Sequence, residues 1–329
     1  MKSVMFLSDL TVLDHAYIDA NGFVVGGSFN PCVNVSGKID EVERVVVDFS
    51  AIKKNLKALI DDKHTGYDHK LWIIEGFSNT HDIVLTEEIE GLEDVGILTI
   101  TTPEVTLKIP RSAIKVVKRI NNMTPDYSYE YIGKSISQYL TERLAELYPN
   151  VNIEAEVFIT EHFHSYYPAS TDGIITDCVP FRYTHGLRNS TSWGCQNIAH
   201  GHLSYIRLIC DKINETEFDN YDDYLFTIKK VEELANSIAT DLNNAVFIDK
   251  ENVVTFNEHG VQIEYNSRNR GTFAAIYSHH HKTLILDTET TIEFIVEYVK
   301  TQYLDMFKDL GVTSFMVSEG LSKGAIAYV

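Results

Sequence analysis

Cys195-Gln-Asn-Ile-Ala-His200-Gly-His202 is the stretch that decides which fold and chemistry we expect of this chain. Side chains alternate between the two faces of a β-strand, so His200 and His202 point to the same side. A neighbouring strand that carries His185 would add a third imidazole. Three protein ligands leave one coordination position of a zinc ion open, which is typical of catalytic zinc sites.

The predicted neighbouring strand runs from Phe181 to Leu187 and pairs with a strand from His200 to Leu208. Cys195 lies just upstream of the histidine pair, where a metal ion can lower the pKa of a thiol and make it a proton acceptor. A His-X-His pair alone is more often a polar strand face. The additional His185 and Cys195 are what favour a metal site here.

Length, charge and cysteine content limit the class of protein. A chain of 329 residues is long enough for two ordinary domains. Its net charge of −19 argues against direct nucleic-acid binding, which needs a basic face. We expect no membrane span, because no run of about 18 apolar residues occurs. We expect no signal peptide, because Met1 to Leu7 lacks the basic segment and long apolar run of one. The four cysteines lack the spacing of a disulfide framework, which predicts a reduced, cytoplasmic compartment.

One order of elements is written twice along the chain. Each half is predicted to open with strands, to continue with a helix, β-rich sequence and a second helix, and to close with an apolar strand that carries a glutamate. The predicted helices are residues 49–61, 129–147, 221–242 and 290–310. The turn-rich segment 166–173 is the expected linker, which predicts domains at 1–168 and 174–329.

Several of these motifs resemble the 6-pyruvoyltetrahydropterin synthase and 6-carboxytetrahydropterin synthase family. In the second half, the stretch from Cys195 to His202 resembles the family's Cys and His-Gly-His signature, and Phe315-Met-Val-Ser-Glu319 resembles its last strand. In the first half, Tyr67-Asp68-His69-Lys70 is similar to the family's Asp-His-Lys, and Val157-Phe-Ile-Thr-Glu161 to the last strand again. The resemblance covers most of the chain, as a divergent tandem duplication.

The resemblance implies an α+β fold of two tandem T-fold units. Each unit would be an antiparallel sheet with two helices, and the units would assemble into β-barrels. The expected partners are a small-molecule pterin triphosphate and further copies of the chain. A trimer of tandem chains is the homo-oligomer that we expect.

Only the second unit carries the metal ligands that the family uses. The resemblance implies that His185, His200 and His202 bind Zn2+ there, with Cys195 as a catalytic residue. The first unit has Val25-Gly-Gly27 where those ligands belong, so we expect it to lack zinc and to contribute Asp-His instead.

The catalytic Asp-His pair is incomplete in the second half, which reads His280-His281-Lys282. We therefore expect a composite site, in which Cys195 and the zinc of one half act with Asp68 and His69 of a first half, in the same or an adjacent chain. Asp68 would hold His69 in one tautomer and support its proton transfer. The alternative is that His281 serves the site of its own half.

The function implied by the resemblance is a zinc-dependent lyase that acts on 7,8-dihydroneopterin triphosphate. Glu319 or Glu161 would anchor the pterin ring, since a carboxylate can accept two hydrogen bonds from its N–H and amino groups. The expected product is 6-carboxytetrahydropterin, a precursor of 7-deazaguanine bases in queuosine biosynthesis. The alternatives are 6-pyruvoyltetrahydropterin synthesis and a catalytically degenerate barrel that binds zinc and pterin.

Overall fold

The computed structural model describes residues 2–39, 44–88, 96–163, 173–211, 218 and 220–329. The first half has strands β1 (Lys2–Leu7), β2 (Leu13–Ile18), β3 (Val24–Lys38), β4 (Lys70–Ile74), β5 (Asp82–Glu88), β6 (Gly96–Thr101), β7 (Val105–Pro110), β8 (Ile114–Val117) and β9 (Glu154–Thr160), and helices α1 (Phe49–Ile60) and α2 (Tyr129–Leu147). The predicted linker, except for Gly173, lies outside the described residues.

The second half repeats this order of elements with an added last strand. Its strands are β10 (Ile174–Ile175), β11 (Val179–His185), β12 (His200–Cys210), β13 (Ala245–Asp249), β14 (Val253–Asn257), β15 (Gly260–Ser267), β16 (Gly271–Ser278), β17 (Lys282–Leu286), β18 (Ser314–Glu319) and β19 (Lys323–Tyr328), and its helices are α3 (Tyr221–Leu242) and α4 (Ile292–Asp309). All four predicted helices are found, with ends within two residues of the prediction.

Local sequence explains where three of the helices begin. Side-chain oxygens of Asp48, Ser128 and Asn220 accept hydrogen bonds from the first-turn amides of α1, α2 and α3. Such N-caps satisfy amides that have no partner inside the helix. In the described part of the chain, no helix is long and apolar enough to cross a membrane.

Two of the sheets have the same strand order. In the first, β3 pairs with β1, β2 and β9, β2 with β4, and β4 with β8. In the second, β12 pairs with β10, β11 and β18, β11 with β13, β13 with β17, and β18 also with β19. The expected antiparallel pairing holds around β3 and β12, whereas β2-β4-β8 and β11-β13-β17 pair in parallel. Parallel neighbours need long crossover connections, and helices or hairpins supply them here.

A third sheet is shared by the two halves, which the sequence analysis did not anticipate. Its order is β14-β15-β16-β7-β6-β5, and the pairing of β16 with β7 joins the halves. One face of this sheet, with Phe273 and Val261, packs on Leu71 of β4 and Val246 of β13 in a common apolar core. The helices cover the other faces of the first two sheets in two separate cores.

The two halves also approach closely where β3 and β12 cross. A Cβ atom on Gly201 would lie 2.7 Å from Cα of Gly26, and one on Gly26 would lie 2.8 Å from the backbone nitrogen of His202. Only glycine permits two backbones to come this close. The crossing brings residues of the first half against the histidines of the second.

Candidate active site

Three histidine side chains meet where β11 ends and β12 begins. The strand pairing sets His185 opposite His200, as the sequence pattern predicted, and His202 lies two residues along the same strand. All three imidazoles are fully buried, and one ring nitrogen of each lies within 4.8 Å of the other two. At this separation three side chains can share one metal ion.

Two of these imidazoles are oriented by backbone carbonyls. The Nδ1 atom of His185 lies 2.7 Å from the carbonyl oxygen of Thr290, and that of His200 lies 2.7 Å from the carbonyl oxygen of Asn197. Because a carbonyl oxygen only accepts hydrogen bonds, each Nδ1 carries the proton and each Nε2 presents a lone pair.

A carboxylate from the other half of the chain lies beside the third imidazole. Nδ1 of His202 lies 3.1 Å from Oδ1 of Asp14, a buried residue of β2. Ser28 donates a hydrogen bond of 2.6 Å to the same oxygen. Burial alone would raise the pKa of Asp14, but the nearby His202 lowers it well below its usual value. Asp14 is therefore ionised, and its negative charge lies beside Nδ1 of His202.

The remaining ring nitrogens are short of hydrogen-bond partners. The Nε2 atoms of His185 and His202 are 3.1 Å apart, and Nε2 of His200 is buried with no hydrogen-bond partner among the described residues. A buried acceptor without a partner costs about 1–3 kcal/mol. A divalent cation bound by all three nitrogens would remove that cost, so these residues fit a metal ion. A set of three imidazoles suits zinc.

Burial also keeps the ligands in the form that binds metal. Desolvation lowers the pKa of His185 to about 3, and that of His200 well below its usual range. Both rings are therefore neutral at physiological pH. Neutral imidazole is the form that a metal ion requires.

The candidate thiol lies in the connection from β11 to β12. A short 3-10 turn, Gly194–Gln196, places Cys195, whose carbonyl oxygen accepts a hydrogen bond of 2.9 Å from the amide of Leu187. The side chain of Gln196 is fully buried. Its backbone carbonyl oxygen accepts a hydrogen bond from the Tyr265 hydroxyl, and its side-chain Oε1 accepts one from the amide of Asn269. The β15–β16 hairpin of the third sheet thus holds this loop in place.

Arg270 strengthens the contact between this hairpin and the loop. Its guanidinium donates hydrogen bonds of 3.1–3.2 Å to the carbonyl oxygens of Trp193 and Gly194 and one of 3.0 Å to that of Ser112. It also lies 3.7 Å from the centre of the Trp193 ring, a cation–π contact. Arg270 therefore clamps the two residues that precede Cys195.

His69 and Asp68 of the first half reach the thiol of the second half. Nε2 of His69 lies 3.6 Å from Sγ of Cys195, and its Nδ1 lies 2.6 Å from Oδ2 of Asp68. Burial opposes a charge on His69, but Asp68 raises its pKa well above the usual value. Burial likewise would raise the pKa of Cys195, but the hydrogen bond from His69 lowers it. Both shifts favour a thiolate beside an imidazolium.

An unusual backbone conformation aims His69 at the thiol. Its φ is 53°, in the left-handed region, and its amide donates a hydrogen bond of 2.6 Å to the carbonyl oxygen of Asp14. Oδ1 of Asp68 accepts from the amide of Asp14 at 2.9 Å. Gly194 makes room for the ring, because a Cβ there would lie 2.6 Å from Cγ of His69.

Glu319, one of the two predicted anchors, lies beside the histidines. Its Oε1 is 3.7 Å from Nε2 of His202 and 3.9 Å from Nε2 of His185, and its Oε2 is 3.2 Å from Nζ of Lys323. Burial alone would raise the pKa of Glu319, but His202 and Lys323 lower it. An ionised carboxylate therefore lies at the edge of the three-histidine cluster.

The other predicted anchor lies elsewhere. Oε1 of Glu161 accepts a hydrogen bond of 2.9 Å from Nη2 of Arg182, and both side chains line an open cleft of about 530 Å³. The structure therefore does not bring Glu161 and Glu319 to one point.

The structure also does not bring His281 to the thiol. Its ring contacts Phe23 and Tyr277, with centroid distances of 4.8 and 5.1 Å, and the acidic groups that affect its pKa are Glu104 and Asp19. Burial lowers the pKa of His281 to about 4. Among the described residues, the histidine in contact with Cys195 is His69.

Sequence reasoning missed two groups that shape this site. Asp14 and Arg270 stand in no recognisable motif, and each acts from an element distant in sequence from the residues that it orients. Asp14 is buried in a strand whose side chains are nearly all buried, and a buried carboxylate needs a partner, but only the structure shows that burial.

The solved structures that match this chain do so over about half of its length. No family model and no curated protein matches the sequence. The 6-pyruvoyltetrahydropterin synthase of Plasmodium vivax matches at 19% identity and a TM-score of 0.32, over 52% of this chain and 94% of its own. The Plasmodium falciparum synthase matches at 14% identity and a TM-score of 0.31, over 48% of this chain and 98% of its own.

Proposed function

We propose that this chain is a zinc-dependent lyase of the 6-carboxytetrahydropterin synthase type that acts on 7,8-dihydroneopterin triphosphate. The observation that carries the proposal is the position of Cys195. Its thiol lies within 4.8 Å of ring nitrogens of both His69 and His200, so it joins the Asp68–His69 pair to the metal cluster. A thiol and an oriented imidazole next to a set of metal ligands suit proton transfer to or from a carbon whose neighbouring oxygen is polarised by the metal ion.

The chain's own residues would move the protons. Cys195, as a thiolate, would take a proton from a side-chain carbon of the substrate, and His69 would deliver or accept the second proton. Asp68 holds the Nδ1 proton of His69 and stabilises the charged ring, as its 2.6 Å contact requires. Zn2+ bound by His185, His200 and His202 would supply Lewis-acid polarisation of the substrate's side-chain oxygens.

Glu319 is the better placed of the two anchors for this reaction. Its carboxylate lies less than 4 Å from two metal-binding nitrogens, so a ring held there has its side chain next to the reacting groups. A carboxylate can accept hydrogen bonds from a ring N–H and an adjacent amino group together. Glu161, which is paired with Arg182, belongs to the separate cleft.

Two products share this start and differ in which bond breaks. Loss of triphosphate, uptake of water and cleavage between the first two side-chain carbons give 6-carboxytetrahydropterin and acetaldehyde. Loss of triphosphate with internal redox of the side chain gives 6-pyruvoyltetrahydropterin. We propose the first product, which feeds 7-deazaguanine synthesis, and retain the second as the alternative.

The test is to incubate the zinc-loaded protein with 7,8-dihydroneopterin triphosphate and to identify products by mass spectrometry. We expect 6-carboxytetrahydropterin and acetaldehyde from the wild type. The Cys195→Ala variant should bind zinc equally well and give no product. Unchanged substrate with the wild type, at one zinc per chain, would contradict catalysis and support a barrel that only binds zinc and pterin.

We also propose that the halves are two T-fold units in tandem and that several chains close a barrel. The matching strand orders support the first point. In the described residues, β8 and β17 end their sheets, and strand edges of this kind favour pairing with another chain. Light scattering that reports three chains per particle would support the trimer, and a monomer would contradict assembly.

A further inference from the structure

The two halves repeat one set of hydrogen bonds at two places. The strand pairing sets Asp14 opposite Ser28 in the first half and Arg182 opposite Leu203 in the second. The amide of Asp14 donates a hydrogen bond of 2.9 Å to Oδ1 of Asp68. In the same way, the amide of Arg182 donates a hydrogen bond of 2.9 Å to Oδ1 of Asn243. Asp14 and Arg182 therefore occupy equivalent positions.

The residues that follow Asp68 and Asn243 confirm the equivalence. The amide of His69 donates a hydrogen bond of 2.6 Å to the carbonyl oxygen of Asp14, and the amide of Asn244 donates one of 2.7 Å to the carbonyl oxygen of Arg182. Both residues have left-handed backbones, with φ of 53° at His69 and 59° at Asn244. Asn243–Asn244, and not His280–His281, thus stands where the other half has its Asp-His pair.

The same register locates the counterparts of the metal ligands. Counting along the strands from Asp14 and Ser28 sets Tyr17, Val25 and Gly27 at the positions of the three histidines. Neither a tyrosine, a valine nor a glycine side chain here replaces an imidazole as a zinc ligand. The short turn of residues 19–23 also replaces the loop that carries the thiol. This second place has lost the reactive groups.

The anchoring carboxylate is present in both places. Extending the pairing of β9 with β3 and of β18 with β12 sets Glu161 opposite Phe29 and Glu319 opposite Ser204. Phe29 and Ser204 are equivalent positions. Phe29 follows Ser28, which lies opposite Asp14, and Ser204 follows Leu203, which lies opposite Arg182. Glu161 is therefore the counterpart of Glu319.

These counterparts line the open cleft of about 530 Å³. Its wall includes Tyr17, Val25, Glu161, Arg182, Tyr205 and Asn244. The volume is in the range of small-molecule sites. The Glu161 and Arg182 side chains are 19% and 24% exposed, so a ligand in the cleft can reach them.

The chemistry of the wall suits a flat ring with both donors and acceptors. The Glu161 carboxylate can accept from an amino group and a ring N–H, and Arg182 can donate to a neighbouring carbonyl oxygen. Tyr17 is stacked on Tyr127 at 3.6 Å and Tyr205 on Phe163 at 4.4 Å, which fixes two aromatic rings at the wall. A 2-amino-4-oxopyrimidine edge, as in pterins and guanine, presents this set of groups.

We infer that the cleft is a second, metal-free site that binds a 2-amino-4-oxopyrimidine ring without converting it. The inference rests on the proposed function for the identity of the ring at Glu319. The described residues that line the cleft include no cysteine and no histidine, and Asn244 stands where the other half has His69, so a ring held at Glu161 is bound and released unchanged. Each chain therefore binds two such rings and converts one.

The test is equilibrium dialysis of the zinc-loaded, full-length protein against saturating neopterin, which lacks the triphosphate. We expect the wild type to bind two neopterin molecules per chain. Glu161→Gln and Glu319→Gln should each bind one per chain, and the double variant should bind none. Glu156→Gln, on the exposed face of β9, is the matched control and should keep both. Thermal unfolding of each variant checks that it is folded, and a crystal soaked with neopterin locates the ring.

The inference would be overturned if the wild type bound one neopterin per chain, Glu161→Gln still bound it and Glu319→Gln did not. That result would leave the proposed function standing. Two per chain, together with no turnover of the triphosphate by the wild type, would overturn the proposed function and leave the second site standing. No bound neopterin, or density in the cleft that does not contact Glu161, would overturn the inference.

Discussion

Asp14 and His69 belong to the first half, and they contact two groups of the second half. Asp14 lies 3.1 Å from the candidate metal ligand His202, and His69 lies 3.6 Å from the thiol of Cys195. At the scale of single residues, each half therefore supplies groups that the other needs. The three candidate metal ligands come from one half, and the two groups that contact a candidate ligand and the thiol come from the other. Substitutions in the first half should therefore change the chemistry of the second.

Replacing Asp14 by Asn should weaken zinc binding, because the substitution removes the charge that fixes His202. Losing an oriented partner behind a ligand costs about 10- to 100-fold in metal affinity. Zinc dissociation constants from competition with a chelator would measure this. Asp305→Asn, on an exposed turn of α4, is the control and should leave the affinity unchanged. Equal affinities for Asp14→Asn and wild type would show that the contact is not needed.

The thiol of Cys195 should react at lower pH than an ordinary cysteine. Because its pKa is lowered, its thiolate persists at pH values where a free thiol, with a pKa of about 8.5, is protonated. The rate of alkylation of Cys195 by iodoacetamide, followed by peptide mass spectrometry, should therefore reach half its maximum at a lower pH than that of a free cysteine measured in parallel. In His69→Gln the midpoint should move up, since the hydrogen bond is lost. An unchanged midpoint would contradict the pairing of thiol and imidazole.

Part of this site follows from the sequence because strand geometry is local. Alternation placed His200 and His202 on one face, and the predicted pairing brought His185 to them. The order of motifs in the sequence set His281 where the first half has His69, whereas the hydrogen-bond register sets Asn244 at that position. Contacts between the two halves have no local signal, which is why Asp14 was missed.

At the scale of elements, the β15–β16 hairpin positions the loop that carries the thiol. Arg270→Ala should lower kcat, because the carbonyl oxygens of Trp193 and Gly194 lose their donor and the loop loosens. Zinc content should stay at the wild-type level, since no metal ligand touches Arg270 among the contacts described. Hydrogen exchange of residues 188–197 should become faster.

Arg270→Lys separates charge from geometry in the same loop. Lysine keeps the charge but lacks the planar fork that reaches three carbonyl oxygens, so we expect only partial recovery of kcat. Full activity and unchanged exchange in Arg270→Ala would refute the role of the hairpin.

The helices were predicted closely because caps and periodicity are local, whereas the shared third sheet needs contacts across more than 150 residues.

At the scale of the whole molecule, the crossing of β3 and β12 determines how the halves meet. A Cβ on Gly201 would lie 2.4 Å from the carbonyl oxygen of Tyr183 and 2.7 Å from Cα of Gly26, and backbone atoms cannot easily move aside. Gly201→Ala should therefore lower the free energy of unfolding by about 1–3 kcal/mol, as overpacking does. Urea unfolding would measure this, with Thr255→Ala on the exposed β14 as the control. Equal stability of Gly201→Ala and wild type would show that the halves do not pack this closely.

The composite site is the central claim, and it is tested most directly by comparing turnover of 7,8-dihydroneopterin triphosphate in two zinc-loaded variants, His69→Gln and His281→Gln. Each variant is first shown to hold one zinc per chain. We predict that His69→Gln loses about 10²- to 10⁴-fold in kcat, as expected when a general acid or base is removed, and that His281→Gln keeps nearly all activity. Loss of activity in His281→Gln, with His69→Gln unaffected, would contradict a site built from both halves.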